Sequence, residues 1–229
     1  MSKYNYLLFD LDDTILDFER CELDALRKTF YTFSVPFNDN ILSMYMDINN
    51  NLWKQHDSGI IEQKEVLVNR FDMLFEKIKI SASPQAVSAK YQEFLSETAF
   101  FEEDALDVIV GLYQKFELYI VSNGNTKTQK SRIQRAGLNK YFNGIFISEA
   151  LGFHKPQKEF FDKCFLQIKN FNRYNTLIIG DSLSSDMLGG INAGIQTCWY
   201  NPNFKDNYLK IKLDYEISKM SQIFDIVKL

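Results

Sequence analysis

Cysteine is scarce in this chain, with three in 229 residues, and Cys21, Cys164 and Cys198 lie far apart in the sequence. An odd and unclustered set excludes a disulfide framework. The two histidines, His56 and His154, are not paired with each other or with a cysteine at ligand spacing, so a zinc site is excluded as well. Excess positive charge is also missing. A formal net charge of -4 argues against binding a nucleic-acid polymer, because that affinity comes from lysine and arginine neutralising backbone phosphates. No apolar run is long enough to cross a bilayer, and Met1-Ser2-Lys3 leads into the first strand without an apolar signal region. These absences set three expectations: no membrane partner, reduced thiols and a cytoplasmic location. Repeats and low-complexity tracts are absent too. With 45% hydrophobic and 24% charged residues, the chain has the balance of a folded globular protein, not a disordered one.

What is present begins with Asp10-Leu11-Asp12-Asp13-Thr14, directly after the apolar run Tyr6-Leu7-Leu8-Phe9. Such a strand presents both carboxylates near its carboxyl end, where open α/β sheets bind ligands. Two like charges this close either share a proton or sit beside a cation. An acidic turn capped by Thr14 is the plainer alternative.

Further along, Leu118-Tyr119-Ile120-Val121 delivers Ser122, Asn123 and Gly124, small polar residues suited to holding an anion. Lys155 precedes Pro156 and a helical pattern over about 157–167; taken singly, it reads as a solvated surface lysine. Thr176-Leu177-Ile178-Ile179-Gly180 reads as a buried parallel strand emptying into Asp181-Ser182, with Asp186 near the start of the next helix.

The remainder alternates strand and helix. Strands are expected at 6–9, 117–121, 144–147, 176–180 and 196–200, and helices at about 104–114, 126–136 and 218–227. Repeated βα units imply a doubly wound, Rossmann-like parallel sheet with helices on both faces. Between the first strand and this alternation, helical periodicity dominates, interrupted at Pro36 to Asn40, Ser58-Gly59 and Ser81 to Pro84. The expected organisation is an α/β core over 1–16 and 100–229, with a helical cap over 17–99 inserted after the first strand.

Taken in order, the Asp-x-Asp-x-Thr, Ser, Lys and Gly-Asp-x-x-x-x-Asp elements at 10–14, 122, 155 and 180–186 resemble the motifs of the haloacid dehalogenase superfamily of hydrolases. Asn49, Leu52-Trp53, Gly59 and Arg70-Phe71 in the insert, with the 185–194 segment and Thr197-Cys198-Trp199, look like its noncanonical pyrimidine nucleotidase branch. The resemblance implies a magnesium-dependent phosphate-monoester hydrolase acting on a small phosphorylated metabolite, a pyrimidine nucleoside 5′-monophosphate first and a sugar phosphate as the alternative. Asp10 would be the nucleophile and Asp12 the general acid and base. Lys155 and Ser122 would hold phosphoryl oxygens, helped by the backbone near Asn123. Mg²⁺ would take Asp10, Asp181 and the backbone carbonyl of Asp12, while Asp186 orients Lys155 or a water.

Several residues keep two readings. Thr14 would support the site or fix the loop through its hydroxyl. Asn49, Trp53 and Arg70 would contact substrate; equally, Trp53 would be core and Arg70 a surface salt bridge. A haloalkanoate dehalogenase is disfavoured, since it has no need of Asp12. A catalytically silent scaffold is disfavoured because every charged motif residue is retained.

Overall fold

Four consecutive apolar residues, Tyr6–Phe9, form strand β1, and all four are buried, as a strand covered on both faces requires. The structure, a computed structural model, describes residues 2–228. In chain order β1 is followed by helices α1 (Phe18–Thr32), α2 (Asp39–Asp57), α3 (Gln63–Ile78), α4 (Pro84–Leu95) and α5 (Ala105–Leu112). Then come β2 (Glu117–Ser122), α6 (Thr126–Arg135), β3 (Gly144–Ile147), α7 (Ser148–Leu151), α8 (Lys158–Phe165) and β4 (Thr176–Gly180). The chain closes with α9 (Leu188–Ala193), β5 (Gln196–Tyr200), β6 (Tyr215–Ile217) and α10 (Ile223–Val227).

The chain divides into two compact units, one built from the described residues up to Glu19 and from Ala99 onward, the other from Arg20–Thr98. In the first, the described strands form a single parallel sheet of six in the order β3-β2-β1-β4-β5-β6. Side chains alternate across it. Leu7, Phe9, Leu118, Ile120, Leu177 and Ile179 pack into the core on one face. Tyr6, Leu8, Tyr119, Val121 and Ile178 pack into the core on the other. This is the doubly wound Rossmann-like fold expected from the βα alternation. β1 lies between β2 and β4, so the strand order reverses beside it and the carboxyl ends of all three open on one crevice.

The second unit holds the helices that the periodicity predicts. Asn38 caps α2 by accepting a bond from Ile41 N at 3.0 Å, and Ser83 caps α4, with Pro84 opening it. The C-terminal segment differs from expectation. β6 at Tyr215–Ile217 joins the sheet edge, and the single helix expected over 218–227 is a 3-10 turn, Met220–Gln222, followed by the short α10. A three-residue edge strand is too short for its alternation to register in sequence. Among the described residues no helix is long and apolar enough to cross a membrane.

Candidate active site

The register places Phe9 opposite both Ile120 and Ile179, and Asp10 N continues the ladder to Ile179 O at 2.9 Å. Asp10 therefore emerges between the ends of β2 and β4, which supply Ser122 and Asp181. Into this gap projects Lys155. It is buried, and its ammonium donates to Asp10 Oδ1 at 2.7 Å, Asp186 Oδ1 at 2.6 Å and the Val121 carbonyl at 2.9 Å. Three donors meet three acceptors, which rules out the solvated surface reading. The Lys155 backbone is fixed by Asn123, whose Oδ1 accepts Lys155 N at 2.8 Å and whose Nδ2 donates to Lys155 O at 2.9 Å.

Asp186 is fully buried in a π-helical turn, Leu183–Met187, ahead of α9. Its Oδ2 accepts Ser182 N at 3.1 Å, so both of its oxygens have protein donors. Gly180 makes room for it. A Cβ at that position would lie 2.3 Å from Asp186 Oδ2.

Carboxylate oxygens of Asp10, Asp181 and Asp186 lie within 4.8 Å of one another. Burial pushes the Asp10 carboxyl up to about 8; the charge of Asp186 adds to this and Lys155 opposes it. Burial also raises Asp181 well above the ordinary carboxylate range, followed by the charges of Asp186 and Asp10. For Lys155, burial pulls downward, but Asp10 and Asp186 outweigh it and hold the ammonium charged. The pocket is thus short of positive charge. Oxygen donors crowded at this spacing are the set a hard divalent cation takes.

Asp12 faces a different set of partners, which sequence reasoning missed. Its Oδ1 pairs with Arg132 Nη1, and its Oδ2 accepts Gln129 Nε2 at 2.6 Å. Gln129 Nε2 also donates to Ser122 Oγ at 2.9 Å, and Gln129 Oε1 accepts Arg132 Nη1 at 2.9 Å. Gln129 and Arg132 stand one turn apart on the buried face of α6. That face, Thr128, Gln129, Arg132 and Ile133, carries a single apolar residue, so no hydrophobic stripe marked it as inward. Only the i, i+3 spacing of Gln and Arg just after Ser122 could have signalled it.

The turn after β1 closes on backbone bonds: Ile15 N and Leu16 N donate to Leu11 O at 3.0 and 2.8 Å, and Asp13 N to Leu16 O at 2.7 Å. Asp13 takes the left-handed conformation at φ 54, and its Oδ1 accepts Phe18 N at 2.9 Å. The bond that Thr14 was expected to make in fixing this loop is not formed. Its hydroxyl is buried without a hydrogen-bond partner among the described residues, and the backbone bonds and Asp13 hold the turn instead.

The insert residues sit in the helical unit. Arg70 is buried, not a surface salt bridge: it lies 4.5 Å from the Tyr91 ring centre and donates to Asn49 Oδ1 at 3.3 Å. Asn49, Tyr45 and Tyr91 all donate to Glu22 Oε1, so residues from α1 to α4 share one polar centre. Trp53 is partly exposed on α2, edge-on to the buried His56.

Comparison with known proteins identifies this arrangement. The family model described as haloacid dehalogenase-like hydrolase matches residues 7–200. Bacillus subtilis YfnB, named as a HAD-hydrolase, is 41% identical over 229 residues, covering 100% of this chain and 97% of its own. The crystal structure of YfnB bound to magnesium superimposes with a TM-score of 0.95 over 99% of each chain. The pyrimidine 5′-nucleotidase PynA of Streptococcus pneumoniae is 35% identical across 97% of this chain and 94% of its own, and the pyrimidine 5′-nucleotidase YjjG of Escherichia coli is 28% identical across 96% of each. Fold, motif order and these matches agree: the chain belongs to the haloacid dehalogenase-like hydrolase family.

Proposed function

We propose that this protein is a magnesium-dependent 5′-nucleotidase that hydrolyses pyrimidine nucleoside monophosphates through an aspartyl-phosphate on Asp10. The observation that carries the chemistry is the buried Lys155 ammonium joining Asp10 to Asp186 beside a third carboxylate, Asp181. It supplies a cation for an anionic phosphoryl group and favours the ionised, nucleophilic form of Asp10 against the burial that raises its pKa.

An oxygen of Asp10 attacks phosphorus, the bond to the ester oxygen breaks, and Asp12 gives its proton to the departing alkoxide. Water then attacks the phosphoryl group and Asp12 takes its proton. The Asp10–phosphorus bond breaks, restoring the carboxylate and releasing phosphate. Lys155 and Ser122 hold the phosphoryl oxygens throughout. Asp10 and Asp181, with the Asp12 backbone carbonyl, would hold Mg²⁺, because both Asp186 oxygens are already committed to Lys155 and Ser182 N. When bound, the ion supplies the countercharge that this carboxylate cluster and a phosphate require.

The names of PynA and YjjG support the pyrimidine assignment, as do the branch-like residues of the insert. Base selection is assigned to the helical unit, with the partly exposed Trp53 as contact and the buried Asn49 and Arg70 joining α2 to α3. The free, buried cysteines suit a reducing cytoplasm.

The test is phosphate release from uridine, deoxyuridine and thymidine 5′-monophosphates against adenosine monophosphate and glucose 6-phosphate. Turnover should vanish with chelator, return with Mg²⁺ and be absent in Asp10→Asn. Trp53→Ala should change kcat/KM ratios among bases while sparing an aryl phosphate. Faster turnover of glucose 6-phosphate would replace the nucleotidase with a sugar phosphatase. Turnover by Asp10→Asn, or without metal, would overturn the mechanism.

A further inference from the structure

The α6 face behind Asp12 is built with more polar groups than folding requires. Arg132 is fully buried and Gln129 nearly so; Arg132 donates to Gln129 and pairs with Asp12, and Gln129 donates to Asp12 and Ser122. Asp12 receives one donor on each carboxylate oxygen, which fixes both its position and the rotation of its plane. Gln129 Nε2 bridges Asp12 to Ser122, so the group that moves protons and the group placed to hold phosphoryl oxygen share a single support. Phe18, at the start of α1, lies over the guanidinium of Arg132 at 5.5 Å and closes its other side. A buried guanidinium is a costly way to stabilise a helix, because apolar packing at the same site serves as well.

Resting on the aspartyl-phosphate reading above, we propose that Gln129 and Arg132 are positioning residues that aim the Asp12 carboxylate at the reacting oxygens, through a two-point clamp on α6. Neither touches the phosphoryl group in this role. Arg132 acts on the reaction through Asp12, so its loss should be felt in the steps that use Asp12, whereas Gln129 also supports Ser122 and its loss reaches phosphoryl transfer as well.

That restriction gives a kinetic signature. With 4-nitrophenyl phosphate the leaving group departs as a stable anion and needs no proton. Asp12 is then required only when water attacks the aspartyl-phosphate. With a nucleoside monophosphate it is required in both steps. In Arg132→Met the second step should slow by about 10²-fold, what a 1 Å misplacement costs. Nitrophenolate should therefore appear as a burst of one equivalent per enzyme followed by a slow steady rate, with KM falling alongside kcat and kcat/KM little changed. The nucleoside monophosphate should show the slow rate and no burst. Gln129→Leu should slow the second step less severely and, through Ser122, slow phosphoryl transfer too, while Arg132→Lys, which keeps the charge and N–H donors on one nitrogen, should recover part of the lost rate.

A double variant separates positioning from general structural damage. Arg132→Met placed on Asp12→Asn should cost nothing further, since the group it aims has lost its chemistry. Melting curves identify any variant that fails to fold, and the Gln129→Leu and Arg132→Lys arms then carry the test. A folded Arg132→Met enzyme with unchanged kcat, or with a lower kcat and no burst, overturns the clamp. So does an additive loss in the double variant. By contrast, nitrophenolate release that survives in Asp10→Asn overturns the aspartyl-phosphate reading itself, so the two failures are distinguishable.

Discussion

Replacing Lys155 with methionine keeps all but the last atom of the side chain's length and removes the cation, leaving Asp10 and Asp186 facing each other in a buried site. Each loses a short charge-assisted bond, at 2.7 and 2.6 Å. Breaking a buried pair from one side costs about 3–5 kcal/mol, because the remaining charge has no compensation. For a protein of this size each kcal/mol moves the melting temperature by about 2–4 °C, so a fall of roughly 6–20 °C is expected at about pH 8.5, where Asp10 is ionised. The sign of the pH dependence follows from Asp10. Its carboxyl titrates at about 8 in the fold, above its unfolded value, so its stabilising contribution is complete at acid pH and is lost as pH rises toward 8. Removing the ammonium takes away the influence that lowers this value. The variant's deficit should therefore be largest at about pH 8.5 and shrink by about pH 5.5, where the Asp10 carboxyl carries its proton and no longer repels Asp186. The assay is thermal unfolding of wild type and Lys155→Met at both pH values in chelator. A deficit below about 1 kcal/mol, or one of the same size at both pH values, would refute the placement of Lys155 as the counter-charge of a buried acidic pair.

Gly180→Ala should push Asp186 aside, because the new Cβ would lie 2.3 Å from its Oδ2. The expected cost is about 1–3 kcal/mol, with a lower kcat as Lys155 loses its second partner, and an unchanged kcat would show that Asp186 does not orient the lysine. Cys21, Cys164 and Cys198 are all buried, and burial pushes the Cys164 and Cys198 thiols above their ordinary range. A thiol reagent should label none of them in the native state and all three in denaturant, and rapid native labelling of either of the last two would contradict their packing.

Much of the site was legible from sequence because its signals are local. An apolar run that stops at a polar residue marks a strand end, and Asp10, Ser122 and Asp181 each sit at or just beyond one. Asn38 and Ser83 with Pro84 mark helix starts by the same short-range chemistry of capping. βα alternation likewise determined a parallel sheet, because a crossover helix admits little else. What the sequence left open was which ends meet. The order β2-β1-β4 brings Lys155 to Asp10 across 145 residues and Arg132 to Asp12 across 120, separations at which no periodicity reports contact. Burial reversed two local readings for the same reason. Lys155 and Arg70 look like surface cations by residue type, yet Asp10 and Asp186 accept the first and the aromatic rings around Arg70 enclose the second. Thr14 went the other way: its hydroxyl has no hydrogen-bond partner among the described residues, while backbone bonds and Asp13 close the turn. A charged side chain is stable inside a protein only when its partners arrive with it, and the tertiary fold alone decides which partners those are.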